Sequence, residues 1–300
     1  MASKIKIVFL GTSGQFPTAD RNCTSILLSY DKENILIDCG EGTQRQFRKA
    51  KLNPCKITKI LVTHWHGDHV LGIPGLLQTL ALSGYNKKLS VFGPKGTRIF
   101  MKNLLETFAF RGKQLIEIKE VDGNFFETKD FYLESEKMTH GISCNAYAFV
   151  KKGQIRIDKK KLKKSKLPLG SLLQKLKQGK DIEYNGKKYL VKDLTYTEEN
   201  KKISFVLDTF INKKIIPFVR NSDLLICESS FGSELEKHAE EYHHLTSKQA
   251  AEIAKKSHSK KLILTHISQR YEKDYKRILN DAKKIFKNSF LAKDFDTITV

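Results

Sequence analysis

One short segment constrains this chain more than any other part of it. Residues 63–69 read Thr-His-Trp-His-Gly-Asp-His, directly after the apolar residues 60–62. The apolar run predicts a buried strand. At the end of a strand, the alternate residues His64 and His66 can point to the same side, so both rings can bind one ion. The segment therefore predicts an α/β scaffold with a metal site at a strand end.

The ligand types favour a catalytic metal site over a structural one. Asp68 and His69 follow on the turn and can serve a second ion. Imidazole and carboxylate suit zinc, or less tightly manganese or cobalt, and no cysteine takes part. Such a set favours an open, hydrolytic site. A histidine-rich surface turn is the alternative interpretation, and the preceding strand argues against it.

Composition limits the size and setting of the protein. With 300 residues, 40% of them hydrophobic, the chain can bury a full core, and we expect one large domain with an insertion. Five widely spaced cysteines indicate unpaired thiols in a reducing compartment. The apolar run at residues 5–10 is too short for a signal peptide or a membrane span. We therefore expect a soluble cytoplasmic protein without a membrane segment.

The charge balance points to a polyanionic partner. There are 54 Lys and Arg residues against 33 Asp and Glu, a formal net charge of +21. Nucleic acid is the simplest partner for such an excess, although a lysine-rich proteome gives the same number without a functional reason. Residues 151–200 carry fifteen Lys and Arg against six Asp and Glu, a net of +9. We interpret this stretch as an arm that binds phosphates, and a solvated loop is the alternative.

Strands and helices alternate over most of the remaining sequence, which predicts sheets covered by helices. Strands are expected at residues 5–10, 25–30, 34–38, 60–62, 89–92, 115–121, 147–150, 203–207, 224–227, 262–265 and 297–300. Helices are expected at residues 41–50, 70–83, 97–108, 247–257 and 271–286.

Four more potential ligands stand at or just beyond the predicted strands: Asp38, His140, Asp208 and His266. Each is a weak signal alone, because a single histidine after a strand is more often structural than metal-binding. Together with residues 64–69 they supply five imidazoles and the carboxylates that a two-metal site requires.

The order of these residues resembles that of the metallo-β-lactamase superfamily, and within it the ribonuclease Z family. The closer resemblance is carried by residues 11–14, 17–22, 41–46, 67–76 and 265–271, the last of which reads Thr-His-Ile-Ser-Gln-Arg-Tyr. Glu228 and His244 also resemble two loops of that family beside its metal site. The resemblance spans nearly the whole chain and implies an αββα sandwich with an inserted basic arm.

The resemblance implies a role for each candidate residue. His64, His66 and His140 would bind one zinc ion, while Asp68, His69 and His266 would bind a second, with Asp208 bridging both. Manganese is an alternative metal. Asp38 would hold ligands by hydrogen bonds. Asp68 would also be the general base, and His244, oriented by Glu228, would protonate the leaving oxygen. His243 is an alternative to His244 from the sequence alone.

The implied activity is removal of the 3′ trailer from precursor tRNA, leaving a 3′ hydroxyl on the tRNA and a 5′ phosphate on the trailer. The resemblance also implies a homodimer in which residues 151–200 of one subunit, a flexible arm, grip tRNA bound to the other. Ala19 replaces the family's usual lysine, so discrimination against tRNA ending in CCA is not implied. A phosphodiesterase acting on another nucleic acid or a small ester, and a non-catalytic RNA-binding protein, are the alternatives.

Overall fold

The structure, a computed structural model, describes residues 4–108, 115–165, 167–168 and 170–300. Residues 166 and 169, which belong to the expected arm, and residues 1–3 and 109–114 of the expected single domain lie outside the described part. The chain divides into two compact units. The first comprises Met1–Phe126, Leu133–Phe149 and Lys202–Val300, and the second comprises Glu127–Tyr132 and Val150–Lys201.

Two mixed sheets form the frame of the first unit. Together with the two short sheets of the second unit, they account for these strands in chain order: β1 Lys6–Gly11, β2 Ser25–Tyr30, β3 Glu33–Ile37, β4 Lys59–Leu61, β5 Leu89–Gly93, β6 Ile116–Glu120, β7 Gly123–Glu127, β8 Phe131–Thr139, β9 Ser143–Lys151, β10 Ile155–Ile157, β11 Ile182–Tyr184, β12 Lys187–Tyr189, β13 Thr195–Thr197, β14 Lys201–Val206, β15 Leu224–Glu228, β16 Leu262–Thr265, β17 Ser289–Leu291 and β18 Thr297–Thr299.

Each large sheet contains a parallel half. The first sheet has the strand order β18-β1-β2-β3-β4-β5-β6, and β3 to β6 run parallel. The second has the order β17-β16-β15-β14-β9-β8-β7, and β14 to β17 run parallel. Because parallel strands end at the same edge of a sheet, residues that follow them are brought together there.

Eleven α-helices lie in the described part of the chain. They are α1 Thr43–Lys49, α2 Gly67–Val70, α3 Ile73–Leu82, α4 Thr97–Thr107, α5 Lys159–Ser165, α6 Leu172–Lys177, α7 Val191–Leu194, α8 Ile215–Phe218, α9 Glu236–Glu241, α10 Ser247–Lys256 and α11 Tyr275–Ile285, with short 3₁₀ turns at Pro54–Lys56, Ser233–Leu235 and Gln269–Tyr271. Helices α1, α3 and α4 share one apolar cluster with the first sheet. Helices α8, α10 and α11 share another with the second.

The inner faces of the two sheets meet. The hydroxyl of Tyr147 in β9 donates a 2.7 Å hydrogen bond to the carbonyl of Val62, just after β4. The amide of Asn145 donates to the carbonyl of Thr63 over 2.9 Å. The rings of Phe92 and Phe125 lie 5.0 Å apart. These contacts, with helices outside both sheets, give the expected αββα sandwich.

The second unit has an apolar core of its own. Strands β10 and β13 pair in one small sheet, and β11 and β12 pair in another. Its buried side chains are Leu162, Leu167, Leu176, Ile182 and Leu194. The lysines of α5 are exposed around the buried Leu162. The charged stretch is thus not a bare loop, because its apolar residues pack together and leave the charges outside.

Most predicted strands and helices are confirmed to within two residues at each end, and two of the exceptions are informative. The helix expected over residues 70–83 is two helices, α2 and α3. A Cβ on Gly72 would lie 2.1 Å from the carbonyl oxygen of Gly40, so the chain bends where only glycine permits that approach. Strands β7 and β8 were not expected, because the outward residues of β8 are mostly charged and hide its alternating burial.

No helix in the described ranges is long and apolar enough to cross a membrane.

Candidate metal centre

The carboxyl ends of the parallel strands carry the candidate ligands. Asp38 follows β3, residues 64–69 follow β4, Asp208 follows β14 and His266 follows β16. His140 comes directly after β8, at the same edge. Asp38 and His266 adopt left-handed backbone conformations, with φ of 54° and 56°. Such conformations are uncommon outside glycine, and they turn the chain sharply as each strand ends.

Three histidines and one carboxylate form the first group. His64 Nε2 lies 3.0 Å from His66 Nδ1, and His140 Nε2 lies 3.1 Å from the same His66 atom. Asp208 Oδ2 lies 3.6 Å from His64 Nε2 and 3.9 Å from His140 Nε2. Burial lowers the pKa of His64 well below its usual value, so this ring is neutral, the form that binds metals.

Two carboxylates and two histidines form the second group. His69 Nε2 lies 3.2 Å from His266 Nε2 and 3.2 Å from Asp68 Oδ2. Asp208 Oδ1 lies 3.1 Å from His266 Nε2 and 3.4 Å from His69 Nε2. The ligand atoms of each group lie within 4.8 Å of one another.

Asp208 faces both groups, one oxygen to each. Its Oδ1 atom is buried and makes no well-aligned hydrogen bond to a described residue, although the Nε2 atoms of His266 and His69 lie 3.1 and 3.4 Å away. A buried carboxylate oxygen without a partner is costly, unless a cation balances its charge. The donor set therefore fits one or two divalent cations.

The second ring nitrogens are held by residues that the sequence patterns largely did not reveal. His69 Nδ1 lies 2.6 Å from Asp38, as expected for that carboxylate. In addition, His64 Nδ1 lies 3.1 Å from the hydroxyl of Thr63, and His266 Nδ1 lies 2.9 Å from that of Ser230. Partners of this kind fix ring orientation and tautomer. Thr63 also donates two 2.7 Å hydrogen bonds to Asp38, so it serves both rings.

The substitution Asp38→Asn tests the role of these hydrogen-bond partners. Asparagine tolerates the left-handed backbone, but its uncharged amide no longer holds His69 and Thr63 as the carboxylate does. We expect zinc affinity to fall about 10- to 100-fold. Competition with a chromophoric chelator measures it. Asp294→Asn is the control, because that partly buried carboxylate contacts Thr12, Asn22 and Gln46 instead. Equal zinc affinity in the two variants would contradict the assigned role of Asp38.

Glu228 and His244 form a buried pair beside the second group. His244 Nδ1 lies 3.1 Å from both oxygens of Glu228, which is fully buried at the end of β15. Burial alone would lower the pKa of His244, but the carboxylates of Glu228 and Asp208 outweigh it and raise that pKa to about 9. The ring is therefore protonated at neutral pH and can act as an acid.

The structure separates His243 from His244. Helix α9 ends in a Schellman motif, because the His244 amide bonds to the Ala239 carbonyl and the His243 amide to that of Glu240. His243 takes the left-handed position with φ of 56°. Its carbonyl oxygen lies 3.1 Å from His140 Nδ1, while only the next ring, His244, reaches Glu228.

All nine residues predicted for the site are brought together. They fall into three overlapping groups of potential ligands: His64, His66, His140 and Asp208; Asp68, His69, Asp208 and His266; and Glu228, His244 and His266. Most of them line one open cavity of about 600 Å³, which is also lined by Phe16, Leu71 and Arg270. The arrangement can hold metal at its base and an acid at its side, next to space for a substrate.

Comparisons with known proteins are consistent with this geometry. Residues 5–153 match the family model described as Anti-Pycsar protein Apyc1. A curated relative from Oceanobacillus iheyensis, described as Ribonuclease Z, is 37% identical over 308 residues, which cover 99% of this chain and 100% of that protein.

Two solved structures share the fold. A metallo-β-lactamase fold protein, YhfI from Bacillus subtilis, has a TM-score of 0.72 at 18% identity, covering 99% of this chain and 100% of that one. The short form of human tRNase Z has a TM-score of 0.69 at 25% identity, covering 98% of each chain. The αββα sandwich is thus a metallo-β-lactamase fold.

Proposed function

This chain belongs to the ribonuclease Z family, and we propose that it is a zinc-dependent endoribonuclease that removes the 3′ trailer from precursor tRNA. The observation that carries the proposal is Asp208, whose two oxygens face two separate groups of ligands. Two ions held by these residues would neutralise phosphodiester charge and supply an activated water. A two-metal hydrolase site with an acid beside it matches the chemistry of phosphodiester cleavage.

The donor types support zinc as the metal. His64, His66 and His140 would hold one ion, and Asp68, His69 and His266 the other, with Asp208 shared between them. Manganese accepts the same donors less tightly. These assignments give each histidine a single ligating nitrogen. His64, His69, His140 and His266 then keep the second nitrogen for the partners described above.

The chain's own residues would move the protons. Asp68 would accept a proton from the attacking water while the water oxygen forms its bond to phosphorus. His244 would donate a proton to the 3′ oxygen as the phosphorus–oxygen bond breaks. Glu228 engages Nδ1 of His244, which leaves Nε2 as the donor atom. The products would be a tRNA with a 3′ hydroxyl and a trailer with a 5′ phosphate.

Cleavage of a 3′-extended precursor tRNA tests the proposal. The purified protein is incubated with the RNA in zinc, in manganese and in excess chelator. We expect cutting in the presence of metal and none with the chelator. If folded, metal-loaded protein leaves the RNA intact but hydrolyses a small phosphodiester, the proposal is wrong and the phosphodiesterase alternative is favoured.

We assign tRNA binding to the arm, residues 151–200. Its lysines are exposed around a small apolar core, an arrangement that suits phosphate contacts without sequence preference. We also propose a cytoplasmic location for the protein. Such a location fits a tRNA substrate and the unpaired thiols of all five cysteines.

Replacing the arm lysines tests their role. Lys163 and Lys164 end helix α5, and both are exposed. In the variant with glutamine at both positions, we expect weaker binding of precursor tRNA and a smaller salt dependence. The slope of log affinity against log salt should fall by about 0.9 for each phosphate that the variant no longer neutralises. Lys255 and Lys256, which end helix α10, provide a matched control pair. Identical salt slopes in the two double variants would refute the assignment.

We also propose a homodimer. Helices α3 and α4 line a common small cavity and carry exposed apolar side chains, among them Leu82, which is 90% exposed, and Ile99, which is 61% exposed. A second copy of the chain would remove this surface from water. Light scattering over a range of protein concentrations distinguishes a dimer from a monomer.

A further inference from the structure

Three aromatic rings extend from the metal centre toward solvent, and we call them the aromatic rim: Phe231, His238 and Tyr242. The ring centres of Phe231 and His238 lie 5.1 Å apart, edge to face. Those of His238 and Tyr242 lie 4.5 Å apart. The inner ring, Phe231, is buried, whereas Tyr242 is 54% exposed. The rim thus runs from the protein interior to an open aromatic face.

The rim belongs to the same cavity as the candidate ligands. All three rings line it together with Asp68, Asp208 and other site residues. Phe231 lies 6.0 Å from the ring of His244, measured between centres. Arg270 places its guanidinium carbon 5.8 Å from the centre of the Phe231 ring. The cavity therefore offers aromatic and cationic surface next to the assigned proton donor.

The backbone around the rim is tied down. The carbonyl of Phe231 accepts a 2.8 Å hydrogen bond from the amide of Ser247 at the start of α10. The amide of Gly232 donates a 2.7 Å bond to the hydroxyl of Tyr271, which donates in turn to Glu234. Helix α9 carries His238, and Tyr242 follows its last residue, just before the Schellman turn. A preorganised platform of this kind loses little entropy on binding a flat ligand.

We propose that the aromatic rim binds the base of the nucleotide just before the cleaved bond, the discriminator base, by stacking. This inference rests on the proposed function, in which His244 protonates the 3′ oxygen of that nucleotide. If the 3′ oxygen of a nucleotide contacts His244, only the ribose of that nucleotide separates its base from the His244 ring. Phe231 adjoins His244, and His238 and Tyr242 continue outward from it.

The chemistry of the rim suits a base of any sequence. Aromatic side chains stack on all four bases, because every base has a π-face, and arginine adds a favourable contact. Stacking therefore positions the nucleotide without discriminating among the four bases. The rim would align the leaving oxygen with His244 and make cleavage depend on the presence of a base.

The test combines a protein variant with a changed substrate. A precursor tRNA acceptor-stem minihelix is prepared with its natural discriminator base and, separately, with an abasic discriminator. We expect Tyr242→Ala to lower single-turnover kcat/KM about tenfold on the natural substrate and less than twofold on the abasic one. Tyr242→Phe, which keeps the ring, should restore cleavage. Phe16→Ala is the matched control. Phe16 lines the same cavity and is 53% exposed, but we expect its removal to affect the two substrates equally.

The outcomes separate this inference from the proposed function. If wild-type protein cuts neither minihelix nor full precursor tRNA, the proposed function has failed. If wild-type protein cuts the natural minihelix, but Tyr242→Ala changes both substrates equally or neither, the stacking role is wrong and the proposed function stands. A loss confined to the substrate that carries the base supports the rim as a stacking site.

Discussion

Replacing Asp208 by alanine is expected to lower kcat/KM for precursor tRNA at least a thousandfold, a loss on the order of 4 kcal/mol of transition-state stabilisation. Among the described side chains, Asp208 directs one oxygen to each ligand group. Under the proposed two-ion site, its loss would remove a ligand from both ions at once. Single-turnover cleavage measures the rate, and atomic absorption measures zinc per subunit, which we expect to fall below that of the wild type.

The control for Asp208 is another aspartate in the same sheet. Asp223 directly precedes β15, at the opposite end of the parallel strands, where it pairs with Lys260 over 2.8 Å. Asp223→Ala should keep its zinc and most of its activity. If Asp208→Ala retained full zinc content and cleaved within tenfold of the wild type, Asp208 would not be a bridging ligand.

Removing the ring of His244 is expected to slow tRNA cleavage roughly a hundred- to ten-thousandfold, the usual contribution of a general acid. The loss should depend on the leaving group. A ribose 3′ oxygen needs a proton to depart, whereas p-nitrophenolate does not. His244→Ala should therefore cleave an aryl phosphodiester within about tenfold of the wild-type rate. Comparing the two substrates at fixed zinc measures the difference.

The neighbouring histidine is the natural control. His243→Gly removes only the ring, since glycine accepts the left-handed conformation and the carbonyl that meets His140 remains. We expect rates within about threefold of the wild type on both substrates. Equal losses on tRNA and on the aryl ester for His244→Ala would argue for a positioning role rather than proton donation.

The candidate ligands could be collected from the sequence because they follow strands. Apolar runs marked β4, β14 and β16, and a polar residue with ligating chemistry stood after each of them. The ends of parallel strands converge, so chain order was enough to collect these residues. The family resemblance then paired them into two groups and added Glu228 and His244.

The hydrogen-bond partners were harder to foresee. Ser230 and Thr63 hold ligand rings through single hydroxyls, and such residues are common at strand ends and in turns. The contact from the His243 carbonyl to His140 involves no side-chain signal at all. It depends on the Schellman turn that ends α9, whose left-handed position is filled here by histidine rather than glycine.

The charged stretch shows a different limit of sequence-based prediction. Its lysines predicted exposure correctly, but they obscured the apolar residues between them. Leu162, Leu167 and Leu194 are separated by many charges and form no helical or strand period together. They meet only because the second unit folds around them. The function of that unit in tRNA binding stays a prediction.

Mapping the ends of the RNA products tests the central claim most directly. A precursor tRNA with a defined 3′ trailer is cut by zinc-loaded protein, and both products are sequenced and tested for terminal phosphate. We predict one cut directly after the discriminator base, with a 3′ hydroxyl on the tRNA and a 5′ phosphate on the trailer. A 3′ phosphate or cyclic phosphate on the tRNA, or scattered cuts that persist in chelator, would contradict metal-dependent attack by water with protonation of the 3′ oxygen.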